Sequence, residues 1–213
     1  MNEGTVFVVV ADATARELMQ RSLESNGYTV QGYASAEAFL PSIDRMERTP
    51  RERCGLFDIR LPGRSGLELQ AELIARQYTA PIVFLAEPGD VRLAVEAMRR
   101  GAFNFIEPTA SEQRLHAVIA GALALDGDRE IERRASAALR ARLESLTLRE
   151  RQVLDLVLAG ELNKSIADIL GISIKTVELH RARLMDKMGA RSIVHLVQIA
   201  APLWNSQSHV PAI

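Results

Sequence analysis

The strongest constraint on this chain is a fivefold alternation of short apolar runs with amphipathic helical segments over residues 5–125. Residues 5–10 read TVFVVV, a continuous β-branched and aromatic run. Such a run suits a strand buried on both faces of a parallel sheet. Residues 29–33, 54–57, 82–85 and 103–106 supply four further strands. Between them the spacing predicts helices over 14–26, 35–43, 67–77, 90–100 and 111–125. In the first, Ala15, Leu18, Met19 and Leu23 form the expected buried stripe, and Gly27 ends it. Ser35 caps the second, and Pro41 ends or kinks it. Strands alternating with helices imply an α/β doubly wound five-stranded parallel sheet, flavodoxin-like, with its sites at the carboxyl ends of the strands. The charged segment 44–53, with Pro50, reads as a loop, as does the turn-rich Leu61-Pro62-Gly63-Arg64-Ser65-Gly66.

The pattern changes near the other end. Residues 165–187 read SIADILGISIKTVELHRARLMDK. A short helix over 164–170 meets Gly171, which can take positive φ and end it. Ser173 then caps a helix over 174–188 through the backbone N–H of Lys175 or Thr176. Ile166, Ala167 and Leu170 give the first helix an apolar face; Val177, Leu184 and Met188 do so for the second. Two helices joined by such a turn form a helix-turn-helix, whose second member can enter the major groove of DNA. Its outward face carries Lys175, Glu178, Leu179, Ala182 and Arg183, with Arg181 at the flank. Arg and Lys can donate to guanine or phosphate, Glu can accept from cytosine, and Leu and Ala can meet thymine methyls. Spacing alone equally describes an ordinary amphipathic pair with a solvated face.

Net charge decides what kind of nucleic-acid affinity is open to the chain. It is −1 over 213 residues, so there is no global basic field, and any affinity must come from a local patch. Lys175, Arg181, Arg183, Lys187 and Arg191 outnumber Glu178 and Asp186 around the second helix. The single cysteine, Cys54, excludes an intramolecular disulfide framework and reads as a small buried hydrophobe. No segment has the pattern of a signal peptide or the apolar length of a membrane span, so the expected setting is cytoplasmic with no membrane partner. The four histidines show no metal-ligand spacing. His180 is expected to pack or to meet phosphate.

Asp126-Gly127-Asp128 interrupts the helical pattern, and 129–142 is rich in Ala and Arg, with Ile131, Ala135, Ala138 and Leu139 at helical spacing. It reads as a linker helix, a short coiled coil, or a solvated tether. The expected domains are therefore residues 1–125, a linker over 126–142, an all-α four-helix helix-turn-helix domain over 143–205, and a frayed tail over 206–213. Residues 192–204 supply the last helix, with Trp204 plugging the small core.

Motifs sharpen both domains. Leu146-Thr147-Leu148-Arg149-Glu150-Arg151-Gln152-Val153-Leu154, Asn163-Lys164-Ser165-Ile166-Ala167 and Thr176-Val177-Glu178-Leu179-His180-Arg181 closely resemble the LuxR-type DNA-binding domain. The resemblance implies that Ile174 and Val177 are packed and that the helix over 174–188 reads the groove. Asp58-Ile59-Arg60-Leu61-Pro62-Gly63-Arg64-Ser65-Gly66, Ser35-Ala36-Glu37-Ala38-Phe39-Leu40 and Gly89-Asp90 through Gly101-Ala102 resemble the receiver domain of bacterial response regulators. Together they place the chain with FixJ-type response regulators. The resemblance implies that Asp58 is the phosphoacceptor position and that Phe105 is a switch position on a dimer face between 90 and 125.

The receiver departs from that family. Where the family has an acidic pair that binds Mg²⁺, this sequence has Val10 and Ala11, with Asp12 one place late. The hydroxyl position aligns with Ala86, and the Lys position with Pro108 or Glu107. Phosphoryl transfer depends on positive charge and positioning, which these side chains do not supply. The expectation is a degenerate receiver, not switched by ordinary Mg²⁺-dependent phosphorylation, with no cofactor and no catalytic residues. In the competing reading the loop shifts by one residue, Asp12 and Asp58 serve as weak metal ligands, and Glu87 or Glu107 assists.

The leading functional reading is a non-enzymatic, promoter-binding transcriptional regulator, acting as a homodimer, with a sensor histidine kinase or RNA polymerase as further partners. Lys175, Thr176, Arg181 and Arg183 are expected at bases or phosphates, and Lys164, Arg149 and Arg151 at the phosphate backbone. Its rivals are a conventional phosphorylation-activated regulator using Asp58 and a partner-titrating protein that needs no DNA.

Overall fold

The computed structural model describes residues 4–43 and 52–204, the last three by backbone alone. The greater part of the 44–53 loop, the side chain of Trp204 and the tail lie outside the described residues. Compactness divides the chain into Met1–Ile131 and Glu132–Ile213.

The first unit holds β1 (Thr5–Val9), α1 (Ala13–Ser25), β2 (Thr29–Tyr33), α2 (Ala36–Phe39) with a 3₁₀ turn at Leu40–Ser42, β3 (Arg53–Asp58), α3 (Gly66–Ala75), β4 (Ile82–Leu85), α4 (Val91–Arg99) and β5 (Asn104–Ile106). The start of α5 (Glu112–Glu144) completes it. The five strands are parallel in the order β2-β1-β3-β4-β5, with Val6 level with Val30 on one side and Cys54 on the other. The order reverses at β1, so the crevice beyond the carboxyl ends of β1 and β3 is the switch point of the sheet. Alternation along β1 sends Val6 and Val8 into one core layer and Phe7 and Val9 into the other. Fully buried Phe39 meets Phe57 edge-on at 5.1 Å between ring centroids and Phe7 at 5.9 Å. Buried Gln70 donates from Nε2 to the Ala97 carbonyl at 3.0 Å, tying α3 to α4.

Two expectations fail here. Leu18 is 62% exposed; only Leu23 of the stripe on α1 is buried, with Ala15 and Met19 packed partly against the core. A 13-residue helix over a sheet needs one narrow line of contact, and Leu18 stands off it. The break at Asp126-Gly127-Asp128 is also absent, because α5 runs unbroken through it. Gly in a helix interior costs about 1 kcal/mol relative to Ala. Asp126 supplies an opposing tie: its Oδ2 accepts the Arg53 backbone N–H at 2.9 Å, beside a buried ion pair to the Arg53 guanidinium at 3.7 Å.

The second unit holds α6 (Leu148–Leu158), α7 (Asn163–Leu170), α8 (Ile174–Met188) and α9 (Ile193–Trp204). Their shared core includes Leu146, Val153, Leu154, Val157, Ile166, Val177, Leu184, Met188, Leu196 and Ala200. No helix among the described residues is long and apolar enough to cross a membrane.

Truncating Phe39 to alanine removes the ring at the centre of the aromatic layer. Phe39→Ala is expected to lower the stability of the sheet domain by about 3–5 kcal/mol. Urea unfolding followed by circular dichroism measures it.

Candidate functional site

In the helical unit the turn between α7 and α8 is set by one residue. Gly171 has φ 64° and ψ 38°, the left-handed conformation that a side chain disfavours. Ser173 then caps α8, its Oγ accepting the Thr176 backbone N–H at 3.1 Å. Val177, Leu184 and Met188 are fully buried, so the opposite face of α8 looks outward. Lys175, Glu178, Leu179, Ala182 and Arg183 are exposed there, Leu179 at 49%, and Lys164 is exposed on α7. Thr176 is half-buried, and its hydroxyl lies 2.9 Å from the Ser173 hydroxyl. A row of cations, a carboxylate and small apolar groups on a supported helix has the chemistry of base and phosphate contact.

Three residues stand differently from their expected places. Ile174 is 47% exposed and does not join the core; only Val177 of that pair is packed. Ile174 lies three residues before Val177 on the same side of α8, but in the first turn, at the end of the buried stripe and not within it. Arg181 is half-buried, its Nη1 donating to Asn163 Oδ1 at 2.7 Å. Lys187 does not belong to an open basic patch. Its ammonium donates to Glu150 Oε2 at 2.7 Å and to the Ser145 carbonyl at 3.0 Å.

That pairing anchors α8 at its far end. Glu150 is 3% exposed, and its carboxylate also accepts the Thr147 N–H at 2.9 Å in a capping box that starts α6. The Lys187 ammonium first, and the Thr147 donors after it, hold the Glu150 carboxyl down to about 2 against the opposing effect of burial. Arg142 adds a bond from Nη1 to the Met188 carbonyl at 3.0 Å.

The sheet unit gathers its polar groups at the carboxyl ends of β1, β3 and β4. Asp58 closes β3 and is half-buried. Burial pushes its carboxyl up; the Arg60 backbone N–H at 2.8 Å pulls it down, while Asp90 and Glu87 push it up again. Gly66 is required beside it, because a Cβ there would lie 2.5 Å from the Asp58 carbonyl oxygen. Asp90, 2% exposed, takes the Arg60 guanidinium in an ion pair, Nε to Oδ1 at 2.7 Å, and accepts the Glu87 N–H at 3.2 Å. At the end of β1, the Arg16 guanidinium donates to the carbonyls of Val10 at 2.6 Å and Ala11 at 3.1 Å. Asp12 is used as a helix cap, accepting the Ala15 N–H at 2.7 Å. Ala86 is buried, and Glu107 and Pro108 are exposed.

Magnesium takes octahedral oxygen ligands, with one or two carboxylates. Here the Val10 and Ala11 carbonyls already accept from a guanidinium, and Asp12 and Asp90 are committed to other donors. Among the described residues no three His, Cys, Asp or Glu side chains are grouped to hold a metal ion. Sequence spacing did not single out Arg16, Arg60, Asp90, Asn163 or the Glu150–Lys187 pair. Their partners lie 5 to 37 residues away in the chain.

Phe105 is 45% exposed on β5, and Val91, Val95 and Met98 are exposed on α4. Val95 and Met98 face outward, and Leu93 and Val118 pack inward.

Comparison with known proteins adds to this geometry. Residues 144–200 match the model for bacterial regulatory proteins of the luxR family, and residues 6–120 match the response regulator receiver domain. The chain is 40% identical to the transcriptional regulatory protein FixJ of Rhizobium meliloti over 210 residues, 94% of this chain and 96% of that one. It is 39% identical to FixJ of Azorhizobium caulinodans over 92% of this chain and 90% of that one. Among solved structures, response regulator StyR superposes with a TM-score of 0.83 at 37% identity, covering 95% of this chain and all of that one.

The Glu150 carboxyl sits below its ordinary unfolded value near 4.3, so its contribution to stability is full above that pH and fades as pH falls toward 2. Glu150→Gln is expected to flatten the dependence of the unfolding midpoint on pH between about 4.5 and 2. Thermal unfolding across that range checks it.

Proposed function

Because this chain belongs to the response regulators that join a receiver domain to a luxR-family DNA-binding domain, we propose that it regulates transcription by reading a promoter duplex through α8. The observation that carries the reading is the outward face of α8, supported from behind by the buried Val177, Leu184 and Met188. Lys175 and Arg183 meet bases or phosphates, Glu178, Leu179 and Ala182 complete the base-facing row, and Thr176 and Lys164 contact the backbone. No catalytic step is assigned to the chain.

The receiver, in this reading, is not switched by ordinary Mg²⁺-dependent phosphorylation of Asp58. Arg16 on the β1 carbonyls, Asp12 spent as a cap and the Arg60–Asp90 ion pair support it. Ala86 adds no hydroxyl to the crevice, and Glu107 and Pro108 add no ammonium. A homodimer is favoured by the exposed Val91, Val95, Met98 and Phe105, an apolar face that a second copy would cover. A sensor kinase and RNA polymerase are further partners consistent with a receiver and a promoter-binding module.

Arg183→Ala is expected to weaken binding to a selected duplex by about 1–3 kcal/mol if it reads a base, and to lower the salt slope by about one if it meets phosphate. Gel-shift titration at several salt concentrations distinguishes the two. Incubation with acetyl phosphate and Mg²⁺ is expected to leave the intact mass unchanged. Stoichiometric, Mg²⁺-dependent addition at Asp58 would instead establish a conventional receiver. Light scattering without phosphodonor is expected to give a dimer mass, and Phe105→Asp a monomer.

A further inference from the structure

We propose that Arg181 acts on DNA through Asn163, as a positioning residue that sets α8 against α7, and does not itself read bases. The inference rests on the DNA-binding reading above and deepens it. Arg181 follows Val177 by four residues and precedes Leu184 by three, so on a helix of 3.6 residues per turn it shares their side. Val177 and Leu184 are fully buried. Of the outward residues, Lys175, Leu179 and Ala182 lie on the opposite side of α8, and Glu178 and Arg183 flank them. Arg181 is half-buried accordingly, and its guanidinium is aimed across the turn at α7, where Nη1 reaches Asn163 Oδ1 at 2.7 Å.

The acceptor is placed where such a bond has leverage. Asn163 is the first residue of α7, and the cap position before it is Leu162, which offers no side-chain cap. A charge-assisted side-chain bond from α8 thus reaches the first residue of α7. The next residue, Lys164, is exposed. Arg181 thus ties the frame that carries Lys164 to the helix that carries Lys175 and Arg183. With Gly171 at the turn and Lys187 bonded to Glu150 at the far end, it is the polar tie at the level of the first turn of α7. A displaced α8 would misplace every outward contact at once, because base readout requires close geometry.

The test uses the full-length chain and a duplex selected from a random pool, with a scrambled duplex as control. Arg181→Ala and Asn163→Ala are each expected to lower affinity for the selected duplex about tenfold, with the salt slope kept at the wild-type value. The double variant is expected to be no weaker than either single one, since both remove the same bond. Arg181→Lys is expected to recover part of the loss. Unfolding midpoints of the four variants guard against a folding defect, and Asn163→Ala, at a helix end, carries the argument if Arg181→Ala does not fold. A salt slope lowered by about one in Arg181→Ala, with Asn163→Ala silent, would overturn the proposal in favour of a phosphate contact. Loss of discrimination at a single base pair, again with Asn163→Ala silent, would overturn it in favour of base reading. Additive losses would also reject it. A wild-type chain that selects no duplex would overturn the DNA-binding reading itself, and this proposal with it.

Discussion

The burial of one stripe on α8 governs the helical unit. Once Val177, Leu184 and Met188 are sealed into the core, the rotation of the helix is set, and with it the list of side chains left to meet a partner. Each buried aliphatic side chain contributes about 1.5–3 kcal/mol to holding that rotation. The polar ties then act at the ends: Ser173 caps the start of α8, and Lys187 locks its end to the buried Glu150. A buried carboxylate left without its ammonium would be strongly destabilising, so the Lys187–Glu150 pair serves register and orientation. The outward face is then free to vary in chemistry without disturbing the support.

The sheet unit follows the same logic with a different outcome. Strands buried on both faces leave their polar chemistry at the carboxyl ends, and Asp58 is carried to that crevice by β3. What surrounds it is a set of internal pairings. Arg16 bonds to the backbone of Val10 and Ala11, Arg60 to Asp90, and Asp12 to the start of α1. The Arg16 guanidinium thus ends β1 and the Arg60–Asp90 pair lies beyond β3, each charge in the crevice facing a partner from the same unit.

Much of this was legible before any coordinates. The β-branched run at 5–10 marked the first strand, because a strand covered on both sides needs apolar residues at successive positions, and short apolar runs marked β3 and β4. The start of the helix over 174–188 was readable to the residue, because Gly171 and Ser173 mark a turn and a cap whose backbone chemistry is local. Arg181 was expected at bases or phosphates, and its half-buried place against Asn163 became visible only with α7 packed beside it. The readings that failed share a cause. Leu18 and Ile174 are apolar residues on helices, placed inside by periodicity in the first case and by the family resemblance in the second, and neither shows what the neighbouring surface covers. Lys187 read as part of a solvated patch because Glu150 lies 37 residues earlier. The break at Gly127 was inferred from helix propensity, and a tie from Asp126 to Arg53, 73 residues away, opposes it.

Sequence by itself determined the five strands, their alternation with helices and the helix-turn-helix. These depend on side-chain periodicity, caps and turns, which act over a few residues. Only the tertiary structure decided which charges stay free and which are bound inward. That depends on pairs such as Arg60–Asp90, Arg181–Asn163 and Lys187–Glu150, brought together by packing. A charge is available to a partner only if folding has not already given it one, and no local rule of sequence records that distance.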